Sequence, residues 1–284
     1  MEIILGKTAG FCYGVRNAVE GARKELQNAK ENLYCLGEIV HNKQVVEDLK
    51  QRGLVVINNI EEAHDKVIIR AHGVAKKIYE TAKQNNIEIK DFTCPNVLKI
   101  HKIAEEYQKQ GYYIMLCGNK NHPENIGTLS YCGEFVSVIE SEDDVKKAIE
   151  EFRKNDINKL LLIVQTTYSM EKFENIKNMI CDQIPDTVEI EVKNTICRAT
   201  ELRQKETEEI AKKVDYMIII GGANSSNTKK LYEISKKYCK NSICIETAKD
   251  LVIKEIKDCE KIGIMAGAST PQSEIQKVYD IIKL

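Results

Sequence analysis

Residues 66–84 read KVIIRAHGVAKKIYETAKQ. The stretch opens on a short run of branched apolar residues, Val67, Ile68 and Ile69. It passes through a polar turn holding His72 and Gly73. It ends in a charged segment whose apolar residues recur at helical spacing. A continuous β-branched run of this length fits a strand covered on both faces. Strand, polar loop and helix then recur along the chain. Further strand-like runs are MEIIL, YYIMLCG, KLLLIVQ, VEIEVKN, DYMIIIGG and KIGIMAG, and LYEISKKYCK and SEIQKVYDIIK have helical period. This alternation predicts an α/β fold with mostly parallel sheets. Parallel sheets bind ligands outside the carboxyl ends of their strands. The loops at those ends (RAHGVAKK, CGNKNHPEN, VQTTYSMEKF, IGGANSSNTKKL and MAGASTPQSEI) are rich in Gly, Ser, Thr, Asn and His.

The bulk properties narrow the function classes. The chain has 284 residues, a net charge of −1 and 30% charged residues. No overall basic field favours nucleic acid, although a local positive pocket for a small anion is compatible with this balance. No segment approaches the roughly 20 apolar residues that span a bilayer. MEIILGKTAGF reads as a first strand rather than a leader. The expectation is a cytoplasmic protein with reduced thiols and no membrane partner.

Ten cysteines stand at positions 12, 35, 94, 117, 132, 181, 197, 239, 244 and 259. None forms a C-x-x-C pair, so a metal site must be assembled from distant parts of the chain. GFCYGVRNAVEGARKEL, FTCPNVLKIHKIAEEY and TICRATELRQKETEEIAKK each place a cysteine just before a long helical pattern. This weak repeat suggests three related α/β lobes, each offering one thiol. A cysteine at a helix N-terminus feels the positive dipole end and free N–H groups, which favour the thiolate. Cys12, Cys94 and Cys197 are thus candidates to act together, and Cys117, which ends a strand, is not excluded by position. The other six read as small buried hydrophobes. Three thiolates would leave one iron of a 4Fe–4S cluster without a protein ligand, and an open iron is a Lewis acid.

His41, His72 and His122 lie near strand-to-helix junctions, whereas His64 and His101 fall in charged, helix-like stretches and read as structural. Ser225, Ser226 and Asn227 open a helix after a glycine-rich turn, and Ser269 does so in AGASTPQSEI. Such turns offer N–H groups and hydroxyls to phosphate oxygens. They also suit ordinary helix caps. No P-loop and no G-x-G-x-x-G follows a strand, so ATP and NAD gain no support. Thr166 and Thr167 end an apolar strand. Glu124 is one of few carboxylates in these loops and the best proton-donor candidate.

Taken together, AGFCYGVRNAVEGA, GEIVHNKQVVEDL, RAHGV, DFTCPNV, GNKNHPE, VQTTYS, NTICRATELRQ, GGANSSNT and AGASTP resemble the 4-hydroxy-3-methylbut-2-enyl diphosphate reductase family, in order and over nearly the whole chain. The resemblance implies three α/β lobes around a central iron–sulfur cluster. Their bounds would be residues 14–93, 94–193 and 194–284, the last completed by 1–13. It implies a 4Fe–4S cluster held by Cys12, Cys94 and Cys197, without Cys117. It places His41, His72, His122, Ser225, Ser226, Asn227 and Ser269 around the substrate diphosphate. Thr166 would contact the substrate hydroxyl region, and Glu124 would deliver a proton. The implied reaction is reductive dehydroxylation to isopentenyl and dimethylallyl diphosphate, the last step of the methylerythritol phosphate pathway, with ferredoxin or flavodoxin as electron donor. The chain ends at DIIKL, so the RNA-binding-type modules of some bacterial relatives are not expected. Two rival readings are a cluster-dependent dehydratase without net redox and a phosphate-ligand binding protein without a cluster.

Overall fold

The computed structural model describes residues 1–29 and 32–283. Lys30, Glu31 and Leu284, which the first and third expected lobes include, lie outside the described residues. The described chain forms three four-stranded sheets, every strand pair parallel. It groups into two compact units. One comprises Met1–Arg23, Val40–Arg52 and Arg198–Leu284, and the other comprises Lys24–Ile39 and Gly53–Cys197.

The first unit holds the sheet β1 (Glu2–Leu5), β12 (Lys261–Ala266), β10 (Tyr216–Ile220) and β11 (Ser242–Ile245), in that spatial order. Its inner strand β10 reads YMIII and is buried throughout. Helices α9 (Ser226–Tyr238) and α10 (Gln272–Lys283) follow β10 and β12, and α8 (Arg198–Ala211) precedes β10. Also in this unit are α2 (Lys43–Gln51) and the first part of α1 (Tyr13–Asn28). The core on one face joins Ile218, Ile220, Ile264, Ile275 and Val278, and that on the other joins Ile219, Met217, Leu231 and Met265. Adjacent residues of one strand thus feed opposite cores, as the two-residue strand period requires.

The second unit holds two sheets. In one the order is β3 (Leu54–Ile57), β2 (Leu33–Leu36), β4 (Lys66–Ile69), β5 (Glu88–Asp91). In the other it is β7 (Val136–Ile139), β6 (Tyr113–Cys117), β8 (Lys159–Val164), β9 (Glu189–Lys193). Strand β6 is buried at every residue, which is why YYIMLC carries no polar alternation. The helices are α3 (Lys76–Gln84), α4 (Pro95–Lys109), α5 (Pro123–Leu129), α6 (Val145–Arg153) and α7 (Met170–Gln183). All seven strands named from the sequence are present. The five others are β2, β3, β5, β7 and β11, each only four residues long. Four of them are sheet edges. Charged EIKD in β5 gives no apolar run to read.

Candidate functional site

In the first unit the candidate residues form one connected run at the carboxyl ends of the strands. The backbone N–H of Cys12 donates to the carbonyl of Ala268 at 3.1 Å. The hydroxyl of the adjacent Ser269 donates to the carbonyl of His41 at 3.1 Å. A Cβ on Gly222 would lie 2.6 Å from that same carbonyl, so only glycine lets the turn after β10 approach His41 so closely. That turn leads to Ser225, the N-cap of α9, which accepts from the Thr228 N–H at 3.3 Å. Capping does not exhaust the turn. Ser226 and Asn227 occupy the first turn of α9, and Asn227 is buried with neither amide atom hydrogen-bonded among the described residues. A buried amide without a partner costs free energy. Beside a helix N-terminus it suits an anion's oxygen.

The loop carrying Cys12 is gripped from α8. Arg203 donates to the Gly10 carbonyl at 2.7 Å, and Glu206 accepts from the Lys7 and Thr8 N–H groups at 2.7 and 2.8 Å. Sequence reasoning missed both. The available signal was the buried polar stripe of α8, with Thr200, Arg203, Gln204 and Thr207 at helical spacing. The backbone at Gly10 requires glycine, with φ +98° and Ile275 crowding the Cβ position at 3.2 Å.

In the second unit a like run passes from Cys94 to Cys197. The N–H of Cys94 donates to the Ala71 carbonyl at 3.0 Å, next to His72. The rings of His72 and His122 meet edge to face at 5.5 Å. His122 caps α5, its Nδ1 accepting from the Glu124 N–H at 3.2 Å. The Glu124 carboxylate accepts from the Thr166 N–H at 2.7 Å and from the Thr166 hydroxyl at 2.6 Å. The Thr166 carbonyl in turn accepts from the Cys197 N–H at 3.1 Å. Glu124 is almost wholly buried. Burial pushes its pKa up to about 7, and the two bonds from Thr166 hold it from rising further. A carboxyl that titrates near neutrality suits proton delivery.

The cysteines separate by environment. Cys12, Cys94 and Cys197 are half-buried, and each immediately precedes a helix of 14 to 16 residues. Cys94 is the N-cap of α4 with Pro95 in the first turn. The Val15 N–H points at the Cys12 sulfur at 3.5 Å. Half-buried thiols at helix starts have the donor chemistry of iron–sulfur ligands. Cys117 lies fully buried in the core with Tyr113, Met115 and Phe173, and burial drives its thiol pKa up, which opposes ligation. Cys35 and Cys132 are buried too, each pushed up to about 12. Cys239 is also buried, while Cys181 and Cys244 are exposed and Cys259 is half-buried.

Neither remaining histidine joins these runs. His64 sits in a loop rather than a helix, its ring edge-on to Tyr34. His101 is buried on α4, stacked on Tyr131 at 4.4 Å and fitted against Gly73 and Gly127. Burial lowers its pKa to about 4, so it packs as a neutral ring.

All-parallel sheets with thiols, imidazoles and hydroxyls at their strand ends define an α/β enzyme. A family model described as LytB protein matches residues 3–283, and the chain belongs to this family. The 4-hydroxy-3-methylbut-2-enyl diphosphate reductase of Caldanaerobacter subterraneus subsp. tengcongensis is 42% identical over 288 residues, covering 100% of this chain and 97% of that protein. The reductase of the same name from Aquifex aeolicus is 39% identical, covering 100% and 96%. Two solved structures are similar. One, an (E)-4-hydroxy-3-methyl-but-2-enyl diphosphate reductase described as the terminal enzyme of the non-mevalonate pathway, has 38% identity and a TM-score of 0.72, covering 100% and 99%. The other, the E-1-hydroxy-2-methyl-but-2-enyl-4-diphosphate reductase from Plasmodium falciparum, has 32% identity and a TM-score of 0.92, covering 100% and 88%.

Proposed function

We propose that the chain reduces (E)-4-hydroxy-3-methylbut-2-enyl diphosphate to isopentenyl and dimethylallyl diphosphate. It is an oxidoreductase of the non-mevalonate isoprenoid route, as its full-length relatives are. The observation that carries the chemistry is the run from His122 through Glu124 and Thr166 to Cys197. It joins a buried proton-holding carboxyl to the Thr166 hydroxyl, and the Thr166 carbonyl to the backbone N–H of the cysteine that starts α8. The LytB reductases are an iron–sulfur family. We assign Cys12, Cys94 and Cys197 as ligands of a 4Fe–4S cluster, which when bound would supply electrons and an open Lewis-acid iron.

The residues themselves account for the rest. The Thr166 N–H fixes one Glu124 oxygen, leaving the other against the Thr166 hydroxyl. Protonated Glu124 can therefore pass its proton through that hydroxyl to the substrate's alcohol oxygen. Two electrons and two protons convert the allylic alcohol to the alkene and water. His41, Ser225, Ser226, Asn227 and Ser269, with His72 and His122, are assigned to the diphosphate. Binding energy from that remote group orients the small hydrocarbon end. Asn227→Ala is expected to weaken binding of isopentenyl diphosphate about 10- to 100-fold, the worth of a charge-assisted hydrogen bond. Calorimetric titration reads this directly, and unchanged affinity removes Asn227 from the site.

We take the lobes to be 14–93, 94–193 and 194–284 with 1–13, the electron donor to be ferredoxin or flavodoxin, and the cytoplasm to be the compartment. No helix among the described residues is long and apolar enough to cross a membrane. The reductase reading is tested by anaerobic turnover of the iron-loaded protein with and without a chemical reductant. Product formation must depend on the reductant. Turnover without one would favour a dehydratase, and no product in either arm would remove the reading.

A further inference from the structure

One residue beyond Glu124 on α5, and one before Thr166 at the end of β8, lies a second buried pair. Asn125 Nδ2 donates to Gln165 Oε1 at 3.0 Å and to the Asn119 carbonyl at 2.7 Å. Gln165 Oε1 also accepts from the Asn119 N–H at 3.2 Å, and Gln165 Nε2 donates to the Thr167 hydroxyl at 3.0 Å. The Gln165 N–H is bonded to the Cys117 carbonyl, which ties the pair to the end of β6. Both side chains are almost wholly buried. Gly118, at φ +156°, leaves the space they fill, for a Cβ there would lie 2.4 Å from Asn125 Nδ2 and 2.8 Å from Gln165 Cβ.

We propose that Asn125, through Gln165, is a positioning residue for proton delivery: the amide pair locks the first turn of α5 to the end of β8 and so holds Glu124 against Thr166. This rests on Glu124 being the proton donor. The reason for a lock lies in helix geometry. Helix α5 has only seven residues, and so short a helix has little stability of its own. Each residue step turns the helix by about 100°, so a small rotation would carry the Glu124 carboxylate away from Thr166. The Glu124–Thr166 contact alone is a two-atom hinge. The Asn125–Gln165 contact beside it gives the second fixed point that a defined orientation needs. The choice of an amide is costly, since Asn125 Oδ1 has no partner among the described residues. A polar side chain kept at that cost for its donor group matches a role in orientation rather than in core packing.

Two variants of the iron-loaded holoenzyme test this. Asn125→Ala removes the lock, and Asn125→Gln with Gln165→Asn exchanges the two amides at constant summed length. Two readouts are taken, the pH dependence of kcat and an infrared titration of the Glu124 carboxyl, identified as the band missing in Glu124→Gln. In Asn125→Ala the released carboxyl reaches water. Its midpoint should fall from near neutrality toward the ordinary carboxylate range, and kcat above neutral pH should drop about tenfold. KM and iron content should stay unchanged. The exchanged pair should restore both readouts. Unmoved midpoints in Asn125→Ala, or kcat and iron content falling together with no shift in midpoint, would overturn the proposal. If Glu124→Gln keeps full kcat, the proton-donor reading fails on its own, and the infrared midpoint still decides whether Asn125 holds Glu124.

Discussion

Cys12→Ser, Cys94→Ser and Cys197→Ser are each expected to lower bound iron to background in protein purified without air, with activity lost alongside. Cys117→Ser is expected to keep its iron. The contrast follows from where the four thiols sit. The first three are half-buried at helix starts, and sulfur is the soft donor that iron–sulfur clusters need. A serine hydroxyl in the same place stays protonated and binds iron poorly. Cys117 is enclosed by Tyr113, Met115 and Phe173, and its burial keeps it a thiol. Serine there leaves a buried hydroxyl and costs stability of about 1–3 kcal/mol, but removes no ligand. Iron and acid-labile sulfide per chain read the result. Equal iron in all four variants would overturn the assignment.

Glu124→Gln is expected to lower kcat about 10²- to 10⁴-fold, the usual worth of a positioned general acid, with substrate binding kept. It also makes a stability prediction with a definite sign. Burial raises the Glu124 pKa from 4.5 to about 7 in the folded protein. Between these values the folded state holds a proton that the unfolded chain has released. The wild type therefore loses stability as pH rises through that window, by about 3 kcal/mol in all. Glutamine keeps the shape, can accept from the Thr166 N–H, and carries no charge to bury. The variant should thus melt higher than wild type above neutral pH, and the two should converge below about pH 4.5. For wild type, kcat should fall as pH rises above about 7, because the protonated acid is then depleted. Parallel melting curves across this range would contradict a neutral buried carboxyl.

How much of this was legible depended on the kind of signal each residue left. Central strands such as β6 and β10 announce themselves as unbroken apolar runs, because both faces are covered. Edge strand β5, half-exposed and charged, leaves no such trace. Cys12, Cys94 and Cys197 stand out because each precedes a long amphipathic helix, but the sequence could not separate Cys117 from them by position. Burial does so physically. His101 reads as structural and is a core ring, but its stacking on Tyr131 has no sequence signature. Glu124 was readable as a carboxylate in a polar loop. Its raised pKa was not, because desolvation comes from residues distant in the chain. Arg203 and Glu206 escaped for the same reason, as their partners at Lys7, Thr8 and Gly10 lie almost 200 residues away.

The most direct test of the central claim is the metal content and iron Mössbauer spectrum of the wild-type chain, purified anaerobically and enriched with the iron isotope. A brown protein with about four irons and as many sulfides per chain is expected. One iron in the four should be spectroscopically distinct and should change on adding the diphosphate substrate. A colourless protein free of iron and sulfide would contradict it. So would a cluster with all its irons alike and indifferent to substrate.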